Sequence, residues 1–564
     1  MLETLNSYVP ILIRRRFARS PEPLHAAEYE ALEAAVLYAD ISGFTRLTEE
    51  LVRTGPRGVE KISIGLNDYF GRWIDIISRY GGDVVKFAGD ALLAIWPADE
   101  KTGGLGEATL QAATCALEAH TNLRGYQTAE GNPLVIRTGI SAGRIRAVHL
   151  GGLLKRWELL IVGKAISEVS ITMQKATPGT VVLSPTALEH LGSNAQGRRI
   201  ADGYFTLLNL ESRIRNFDSP QKLFQTPHEG SAALETYIPG AIRARLAAGQ
   251  IGWLAELRTI ATLFMNFPDL NSSTNLETAQ EVMVQVQKAL YYYEGSVNDS
   301  FVDEKGSTLL TAFGLPPFSH EDDALRATLT ALEVQQRMQE MGLRLNVGIA
   351  TGRAFCGSIG NDSRRKYTMI GDIVNLSARL AQAARQMTET ESLILVDEAT
   401  MESTRHRVQF ETLPPVHVKG RSEAIAIFTP KKEQRQASHI SVEMVGRHKE
   451  RRQLTQAMQE LTNLEAVNAA RIFLIEGEPG IGKSRLLTEA LSQAQQIGLL
   501  SLAGTADAIE KSTPYFAWRH IFAQLFGLDF TTSMSGRKEA LVSTLDDDLV
   551  ERAALLNDIL QVDF

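Results

Sequence analysis

Residues 35–51 read AVLYADISGFTRLTEEL, and residues 86–97 read KFAGDALLAIWP. Each stretch is an apolar run typical of a β-strand, and each is interrupted by one aspartate, Asp40 in the first and Asp90 in the second. Taken singly, an aspartate at a strand end is more often a turn residue or a helix cap. Two such carboxylates brought side by side, however, form a site of hard oxygen ligands that suits Mg²⁺. The two stretches therefore predict a metal site at strand ends.

The composition limits the classes of protein to consider. The 564 residues predict three or four domains at roughly 150 residues each. Hydrophobic residues make up 44% and charged residues 22%, and the net charge of -8 gives no support for nucleic-acid binding. The two cysteines, Cys115 and Cys356, lie far apart in sequence, which argues against a disulfide framework and favours a cytoplasmic location.

The N-terminal residues have no basic start followed by an apolar core, so no secretory signal is expected. Nowhere do about 18 apolar residues run uninterrupted, and we expect no membrane-spanning segment. Ile11 to Arg19 is first apolar and then basic, which predicts a surface helix or docking arm within an N-terminal arm of residues 1–29. Association with a membrane surface is the alternative for this segment.

Residues 30–225 alternate strand and helix patterns, which predicts an α/β domain. A long amphipathic helix is expected over Val59 to Tyr80, where apolar side chains recur at three-and-four spacing. A β-hairpin follows over Asp83 to Trp96, and its turn carries Asp90 at the tip, where a carboxylate can face a ligand. The other predicted elements are a helix at 44–53 and strands at 36–39, 135–142, 144–149 and 158–162.

The chain then repeats itself. A second copy is expected over residues 251–432, after a linker at 226–250. The matching segments are LNVGIATGR at 345–353 with IRTGISAGR at 136–144, YTMIG at 367–371 with LLIVG at 159–163, GSTLLTAF at 306–313 with GDALLAIW at 89–96, and 257–267 with 35–44. The conserved order of these segments within the chain predicts two homologous domains.

The two copies differ at the aspartates. Opposite Asp40 the second copy aligns Leu263. Opposite Asp90 it aligns Ser307. The second copy is therefore expected to lack a carboxylate pair for a metal.

The second copy in turn has polar residues that the first lacks. Its segment GDIVNLSARL places Asn375 and Arg379 on one helix face, where an amide and a cation can address the same anionic group. The first copy reads GKAISEVSIT and aligns Ser167 and Ile171 at these positions. A complete site is therefore expected to need both domains.

These residues carry a family resemblance. The motifs DISGFT, KFAGDALL, GISAGR, GDIVNLSARL and VKGR occur in the order found in class III nucleotidyl cyclases. Within that family the chain most resembles the soluble, bicarbonate-responsive adenylyl cyclases, in which tandem cyclase domains precede a nucleotide-binding ATPase region. The resemblance implies an α/β fold of ferredoxin-like α+β sandwiches, two cyclase domains paired as a pseudo-heterodimer within one chain, and adenylyl cyclase activity.

The resemblance also implies metal ligands and a catalytic residue. Asp40, Asp90 and the carbonyl of Ile41 would hold two divalent ions, either Mg²⁺ or else Mn²⁺ or Ca²⁺. One ion would lower the pKa of the ribose 3′-hydroxyl of ATP, and the other would bind the triphosphate. Attack of that oxygen on the α-phosphorus expels pyrophosphate, and Arg379 would stabilise the charge that builds on the α-phosphoryl oxygens.

Further residues would bind the substrate, again by resemblance. Asn375 would orient the ribose, while Arg144 and Lys419 would bind the β- and γ-phosphates. Lys305 and Thr368 would contact the N1 and N6 edge of adenine. Membrane cyclases carry an aspartate where this chain has Thr368, whereas the soluble type carries threonine, so adenine is preferred to guanine.

The mirrored pocket, formed by the two degenerate halves, is expected to lack catalysis and to accept a small regulator. Lys86 matches a lysine that lines the bicarbonate pocket of the soluble cyclases. The arginine that partners this lysine is replaced here by Ser170 and Ile171. Activation by bicarbonate is therefore one hypothesis, and a structural role for Lys86 is the alternative.

A third domain is predicted over residues 433–564. The segment GEPGIGKS, at 477–484, stands between a predicted strand at 471–476 and a predicted helix, which is the context of a phosphate-binding loop. No strand ending in an acidic pair follows it, so we expect the chain to stop inside an ATPase domain.

Four residues of this loop would bind a second nucleotide. Gly477 and Gly482 would let the backbone approach the phosphates closely. Lys483 would reach the phosphates, and Ser484 would ligate Mg²⁺.

Two other functions stay open from the sequence. A guanylyl cyclase would use GTP in the same site. A nucleotide-sensing scaffold would use the cyclase domains as binding modules and the loop at 477–484 as its working site. The residues that argue against the scaffold are Asp40, Asp90, Asn375 and Arg379.

Overall fold

The structure is a computed structural model. It describes residues 2–42, 56–89, 91–100, 103–123, 135–211, 231–239, 242–243, 256–303, 305–315, 319–388, 390–418, 424–433, 446–461, 472–477, 482–504, 515–528, 534–560, 562 and 564. These residues form two compact units, Met1–Gln434 and Arg435–Phe564. No helix among the described ranges is long and apolar enough to cross a membrane.

The first half of the first unit is built on an eight-stranded mixed sheet. Its strands are β1 (Glu28–Ser42), β2 (Asp83–Ala88), β3 (Ala91–Pro97), β4 (Val135–Gly151), β5 (Trp157–Val162), β6 (Val181–Leu183), β7 (Ala195–Arg199) and β8 (Phe205–Leu210). Its helices are α1 (Leu2–Ser7), α2 (Ile11–Arg19), α3 (Pro56–Arg79), α4 (Gly104–Asn122), α5 (Lys164–Lys175) and α6 (Pro185–Leu191). The strand order is β2-β3-β1-β4-β6-β8-β7, and β5 pairs with β4.

The second half repeats this architecture after a short linker helix, α7 (Ser231–Glu235). Its strands are β9 (Glu256–Phe267), β10 (Ser296–Asp303), β11 (Gly306–Phe313), β12 (Asn346–Gly360), β13 (Arg365–Ile370), β14 (Leu393–Val396), β15 (Val408–Val416) and β16 (Ile425–Glu433). Its helices are α8 (Leu276–Tyr292), α9 (Asp323–Glu340), α10 (Asp372–Met387) and α11 (Glu398–Thr404). The order β10-β11-β9-β12-β14-β16-β15, with β13 beside β12, is that of the first sheet.

Most elements lie where the sequence patterns predict them. The amphipathic helix predicted from Val59 is α3, and the predicted hairpin is β2 and β3. The two strands predicted on either side of Gly143 are one continuous strand, β4, because Gly143 adopts a φ of 145° and still pairs with Ala34. The helix predicted at 44–53 lies outside the described residues.

The sheet registers correct one equivalence between the two copies. Tyr38 pairs with Gly139 in the first sheet, and Phe264 pairs with the matching Gly348 in the second. The position equivalent to Asp40 is therefore Asn266, and the alignment of Leu263 with Asp40 was wrong. The error arose because the segments around β1 and β9 share little sequence, so that only their hydrogen-bonded neighbours fix the register. Asn266 is a neutral amide, so the second copy still lacks this carboxylate.

The two halves pack through equivalent surfaces. The core of the first half includes three residues of the second, Phe355, Ile359 and Ile370. The core of the second half includes four residues of the first, Val148, Leu150, Leu160 and Val162. The register makes Leu150 equivalent to Ile359 and Val162 to Ile370, so each half offers the same surface to the other. This is the arrangement of a two-fold dimer formed within one chain.

Polar contacts fix both edges of this interface. Gln280 of α8 donates to the carbonyl of Gly151 at 2.7 Å and accepts from the Gly151 amide at 2.8 Å. On the opposite edge, the side chain of Asn361 donates to Asp75 of α3 at 2.7 Å and to the carbonyl of Gly71 at 3.2 Å. Because these donors and acceptors pair across the interface, the polar groups retain partners when the surfaces are buried.

The N-terminal arm is packed against the rest of the unit, which agrees with the predicted docking arm and not with the alternative of a surface helix. Helix α2 covers Ile11–Arg19 as predicted, but Ile11, Leu12, Ile13 and Phe17 are buried. Phe17 packs against Tyr237 of the linker with ring centroids 6.0 Å apart. The apolar residues face the two halves rather than solvent, because the linker segment and both sheets supply the surface that covers them.

The second unit is helical in its described part. Its helices are α12 (His448–Leu461), α13 (Lys483–Gln496), α14 (Phe516–Leu525), α15 (Met534–Thr544), α16 (Asp547–Val550) and α17 (Asn557–Leu560). The strand predicted at 471–476 is absent from the described residues 472–477, which have no strand assignment. Ile472 is 98% exposed and Leu474 is 81% exposed. An apolar run forms a strand only where a neighbouring strand accepts its backbone hydrogen bonds, and the pattern alone does not provide that neighbour.

Candidate active site

Asp40 lies near the end of β1 and is held by a cation that the sequence did not indicate. Asp40 and Arg137 are register partners on the neighbouring strands β1 and β4. Arg137 donates from Nε to Asp40 Oδ2 at 2.8 Å and also from Nη2 to the same oxygen. The Asp40 side chain is 18% exposed, so a small ligand can reach it. The next residue, Ile41, is buried and anchors the strand end in the core.

The donor chemistry at this strand end fits a hard divalent cation in part. Asp40 supplies a carboxylate, and Arg137 shows that a positive charge is stable against it. Asp90, the predicted second ligand, lies outside the described residues between Gly89 and Ala91. Within the described part of the chain, no group of three or more metal-ligating side chains occurs.

Asn375 and Arg379 lie on α10, which begins directly after Gly371 at the end of β13. Both side chains are partly exposed, whereas Leu376 and Leu380 on the other helix face are buried. The register makes Gly371 equivalent to Gly163, so Ser167 and Ile171 are the counterparts on α5, as predicted. The polar pair therefore belongs to the second half alone.

The remaining predicted substrate residues lie in different environments. Arg144 is exposed on β4, one residue after Gly143. Thr368 is 3% exposed on β13, opposite Gly357. Lys305 is exposed at the tip of the β10–β11 hairpin, where its amide donates to Asp303 at 2.8 Å. Lys419 lies outside the described residues.

The structure connects these half-sites through one core. Ile41, beside Asp40, belongs to the same hydrophobic core as Phe355 and Ile370. Ile370 directly precedes Gly371, from which α10 carries Asn375. The strand that carries Asp40 and the helix that carries Asn375 are thus anchored in the same core, as the predicted composite site would require.

Lys86 is paired with a residue that the sequence argument overlooked. Its Nζ lies 3.2 Å from Oδ1 of Asp299 on β10, and Lys366 of β13 lies 2.6 Å from Oδ2 of the same carboxylate. In the sequence Asp299 is an isolated acid in a strand segment. Its pairing with Lys86 and Lys366 is visible only in the tertiary structure. The ammonium of Lys86 is therefore neutralised within the protein.

Burial and neighbouring charges shift the pKa values in this cluster. Burial lowers the pKa of Lys86, and Asp299 opposes that change. Burial acts to raise the pKa of Asp299, but Lys366 and Lys86 outweigh it and hold this pKa below its usual value. Burial raises the pKa of Glu158, which lies on β5 near the same group. The cluster is thus a set of charges removed from water and dependent on one another.

The loop at 477–484 is described at its two ends. Gly482 has a φ of 99° and precedes α13, which begins at Lys483. Lys483 Nζ donates to the carbonyl of Gly477 at 2.8 Å, so the lysine bridges the start and the end of the loop. Ser484 belongs to the first turn of α13. Amide groups at such a helix start favour anionic ligands.

The similarity to known proteins agrees with this geometry. Residues 26–203 and 256–430 each match the adenylate and guanylate cyclase catalytic domain, and together they cover more than half of the chain. The chain belongs to this cyclase family. Residues 443–561 match the AAA ATPase domain. These matches confirm the predicted family and the fold class, an α/β cyclase pair followed by an ATPase-type region.

Individual relatives extend the comparison. Adenylate cyclase type 10 of Oryctolagus cuniculus is 26% identical over 581 residues, which cover 94% of this chain and 35% of the relative. Adenylate cyclase type 10 of Homo sapiens is 26% identical over 579 residues, with the same shares covered. The chain thus spans about a third of the length of these relatives. A solved class III adenylyl cyclase-like ATP-binding protein from Pseudomonas aeruginosa is 12% identical, with 70% of this chain and 92% of that chain covered and a TM-score of 0.46.

Proposed function

We propose that the chain is an adenylyl cyclase that converts ATP to 3′,5′-cyclic AMP and pyrophosphate at a single site between its two halves. The observation that carries this proposal is the complementary loss of polar residues. By register, Asp40 in the first domain is equivalent to Asn266 in the second, and Asn375 in the second is equivalent to Ser167 in the first. One of the two equivalent pockets therefore gathers a carboxylate, an amide and an arginine. The other has the amide of Asn266 but neither a carboxylate nor an arginine at the equivalent positions.

The metal half of the site consists of Asp40, the Ile41 carbonyl and Asp90. Two divalent ions bound there, Mg²⁺ or alternatively Mn²⁺ or Ca²⁺, would supply the charge that makes the 3′-hydroxyl acidic and neutralises the triphosphate. A cation that binds Oδ2 of Asp40 would displace Arg137, because Arg137 donates two hydrogen bonds to that same oxygen. Arg137 then remains at the strand end as a positive charge close to the phosphates.

The other half would orient the nucleotide and stabilise the developing charge. Asn375 would hydrogen-bond the ribose, and Arg379, one helical turn further along α10, would stabilise the α-phosphoryl oxygens. Arg144 and Lys419 would bind the β- and γ-phosphates. Because positioned charges contribute only when they are held rigidly, the buried face of α10 is part of this function.

The base would be read beside β13. The hydroxyl of Thr368 and the ammonium of Lys305 are the proposed contacts to adenine, and Thr368 is the buried member of this pair. A guanylyl cyclase is the second candidate, and the observation that favours it is Asp299. Its carboxylate lies on β10, next to β13, and a carboxylate accepts from the N1–H and N2–H₂ groups that guanine presents. To bind guanine, Asp299 would have to leave Lys86 and Lys366, which now pair with its two oxygens. Turnover of ATP and GTP compared at equal concentration distinguishes the two.

The degenerate pocket is proposed to bind a small regulator. A cavity of about 80 Å³ lies between the halves, lined by apolar residues that include Val148, Leu160 and Met283, together with Arg146. This lining favours an apolar molecule with one anionic group. Lys86 is not among the lining residues. If bicarbonate acts through Lys86, it must compete with Asp299, so stimulation by bicarbonate at fixed pH is expected to be small.

The loop at 477–484 is proposed to bind a second nucleotide, through Gly477, Gly482, Lys483 and Ser484. The proximity of Lys483 to Gly477 supports this role, because one lysine reaches across the loop that phosphates would occupy. A fluorescent ATP analogue should then bind at two sites in the parent chain and in Arg485→Ala, but at one site in Lys483→Ala. We propose the domain limits 30–225, 251–432 and 433–564, and a cytoplasmic location.

The test of the cyclase proposal is cyclic AMP formation by the full chain with Mg²⁺ or Mn²⁺. Asp40→Ala and Arg379→Ala are each expected to lower the rate at least about 100-fold, since each removes charge stabilisation from the transition state. The matched controls are the equivalent positions of the opposite half, Asn266→Ala and Ile171→Ala, which should keep most of the activity. Equal losses in both sets, or no loss at Asp40 and Arg379, would contradict the single composite site. No cyclic AMP formation by the parent chain would favour the nucleotide-sensing scaffold.

A further inference from the structure

Two equivalent residues of the two halves touch each other. Lys86 is the register partner of Leu93 in the β2–β3 hairpin, and Asp299 is the register partner of Leu310 in the β10–β11 hairpin. Leu93 and Leu310 are themselves equivalent, because their partners on the central strands are Tyr38 and Phe264. Lys86 and Asp299 therefore occupy the same position in the two domains. Equivalent residues can meet only where the rotation axis that relates the domains passes between them.

A second equivalent pair surrounds the first. Glu158 of β5 pairs with Leu150, and Lys366 of β13 pairs with Ile359. Leu150 and Ile359 stand at the same distance from Gly139 and Gly348, the glycines of the repeated motif. Glu158 and Lys366 are thus equivalent as well. We call Lys86, Glu158, Asp299 and Lys366 the interface charge cluster.

The charges in this cluster are exchanged between the two domains. The first domain carries Lys86 in its hairpin and Glu158 on β5. At the equivalent positions the second domain carries an acid, Asp299, and a lysine, Lys366. Lys86 contacts Asp299 across the interface at 3.2 Å, and Lys366 contacts the same carboxylate at 2.6 Å within its own domain. Lys366 also donates across the interface to the carbonyl of Phe87 at 3.2 Å.

Exchanged charges at equivalent positions have a consequence for pairing. If two copies of the first domain met through this surface, one Lys86 would face another Lys86 at the axis. Two copies of the second domain would set Asp299 against Asp299. The side chains at the axis are only 15% and 7% exposed, so solvent would screen this repulsion poorly. Only the unlike pair brings opposite charges together.

Shape does not provide this discrimination. The two sheets have the same strand order, and both halves bury the same strands in the other's core. Domains with a common fold and a common interface can pair in like or unlike combinations unless a repulsive element prevents it. Like pairs would be inactive under the proposed function, because each would lack one half of the composite site.

We propose that the interface charge cluster selects the unlike cyclase domain as the pairing partner and rejects a second copy of the same domain. The partner is normally the other domain of the same chain. The cluster would equally accept the unlike domain of another chain. This selectivity concerns association, so it can be measured without any nucleotide chemistry.

The test uses two full-length chains in which both domains carry the same charge pattern. One chain has Asp299→Lys with Lys366→Glu, and the other has Lys86→Asp with Glu158→Lys. Each pair of substitutions conserves net charge and keeps opposite charges within the altered domain. Glu158→Lys also removes the ion pair between Glu158 and Arg156, which are 3.0 Å apart, and it places a lysine beside Arg156 as Lys366 stands beside the equivalent Arg364.

Within either chain the two domains then carry like charges at the axis, whereas between the chains the patterns are complementary. On co-expression with different affinity tags, the two chains are expected to co-purify at least tenfold more than two tagged parent chains. A chain with all four substitutions restores the match in cis. It should melt about as the parent does and should not co-purify with itself.

The matched control exchanges an exposed ion pair inside one domain. Lys175 Nζ and Asp202 Oδ2 are 2.6 Å apart. Two chains, one with Lys175→Asp and the other with Asp202→Lys, should co-purify no more than two parent chains do.

If both two-substitution chains fold but do not co-purify, the cluster does not select partners and the proposal fails. If they do not fold, the four-substitution chain decides the question. Parent-like melting supports the proposal, and failure to fold overturns it, whether or not any of the chains makes cyclic AMP.

Discussion

Arg137 and Asp40 face each other as register partners on β4 and β1, and Arg137 gives two hydrogen bonds to the single oxygen Oδ2, the one from Nε measuring 2.8 Å. The arginine occupies the carboxylate that the metal is proposed to use. A metal ion that binds Oδ2 must therefore displace charge-assisted hydrogen bonds as well as water. This relationship suggests that Arg137 tunes the affinity of the site for the ion.

Replacement of Arg137 tests that competition. Arg137→Gln is expected to tighten Mn²⁺ binding about fivefold, which corresponds to about 1 kcal/mol, the usual size of a partly exposed ion pair. Titration calorimetry or the Mn²⁺ magnetic resonance signal measures it directly. The matched control is Arg344→Gln, which breaks a similar ion pair with Asp269 away from the site and should leave the metal affinity unchanged. Weaker Mn²⁺ binding in Arg137→Gln would show that the arginine assists the ion.

Gly348 lets α10 approach the sheet closely, and its replacement should displace the catalytic helix. A Cβ atom at Gly348 would lie 2.1 Å from the carbonyl oxygen of Ser377 and 2.4 Å from the amide of Ala381. Gly348→Ala should therefore move Asn375 and Arg379 and lower kcat more than about tenfold, because small misplacements of positioned groups are costly. The measurement is steady-state cyclic AMP formation together with the melting temperature.

The equivalent glycine of the first half provides the control. A Cβ atom at Gly139 would lie 2.9 Å from the amide of Met173 on α5, which carries none of the proposed catalytic groups. Gly139→Ala should also lower the melting temperature. For each degree of melting temperature lost, it should lower kcat less than Gly348→Ala does. If the two variants lose kcat in proportion to stability alone, α10 has no special role.

Asp83 connects the N-terminal arm to the β2–β3 hairpin through hydrogen bonds. Its two carboxylate oxygens accept from the amides of Ile11 at 2.9 Å and Leu12 at 2.8 Å, at the start of α2. Asp83→Ala would leave these buried donors without an acceptor and is expected to cost about 3 kcal/mol. Release of the arm should appear as faster tryptic cleavage after Arg16 and Arg19.

A buried helix cap elsewhere separates arm release from general destabilisation. Asp397 caps α11 by accepting from the amide of Thr400 at 3.0 Å. Asp397→Ala should lose a similar amount of stability while the arm keeps its protection from trypsin. Equal cleavage of the arm in both variants would mean that Asp83 does not specifically hold it.

His320 predicts a loss of stability at alkaline pH. Burial disfavours its charged form, but hydrogen bonds to Asp323 and Glu294 outweigh burial and raise the pKa to about 9. Because this pKa is raised above that of the unfolded chain, about 6.5, the stabilisation is complete below pH 6.5 and is lost as the pH rises towards 9. Allowing for solvent screening, we expect a loss of about 1 to 2 kcal/mol over this range.

Chemical unfolding of the first unit at pH 6 and pH 9.5 measures this contribution. In His320→Gln the difference between the two pH values should shrink by that amount. The neighbouring Arg326, which contacts Glu294 at 2.7 Å, keeps its charge over this range and is not expected to contribute to the difference. An unchanged pH dependence in the variant would exclude His320 as its source.

The sequence by itself determined the family and the tandem repeat, and it predicted a composite site. Local periodicity was enough to place α3, the β2–β3 hairpin and α10, because amphipathic spacing and turn residues are properties of neighbouring positions. The difference between the copies at Asn375 could likewise be read from aligned motifs.

Only the tertiary structure decided which residue is equivalent to Asp40, that Arg137 pairs with it, and that Lys86 meets Asp299. It also showed that α2 is buried, whereas the sequence pattern left open a surface helix or a docking arm. Each of these outcomes depends on residues that are distant in sequence. A periodic pattern shows which face of an element is apolar, whereas the hydrogen-bonded register and the packing of the two halves determine what that face, or a charge within it, contacts.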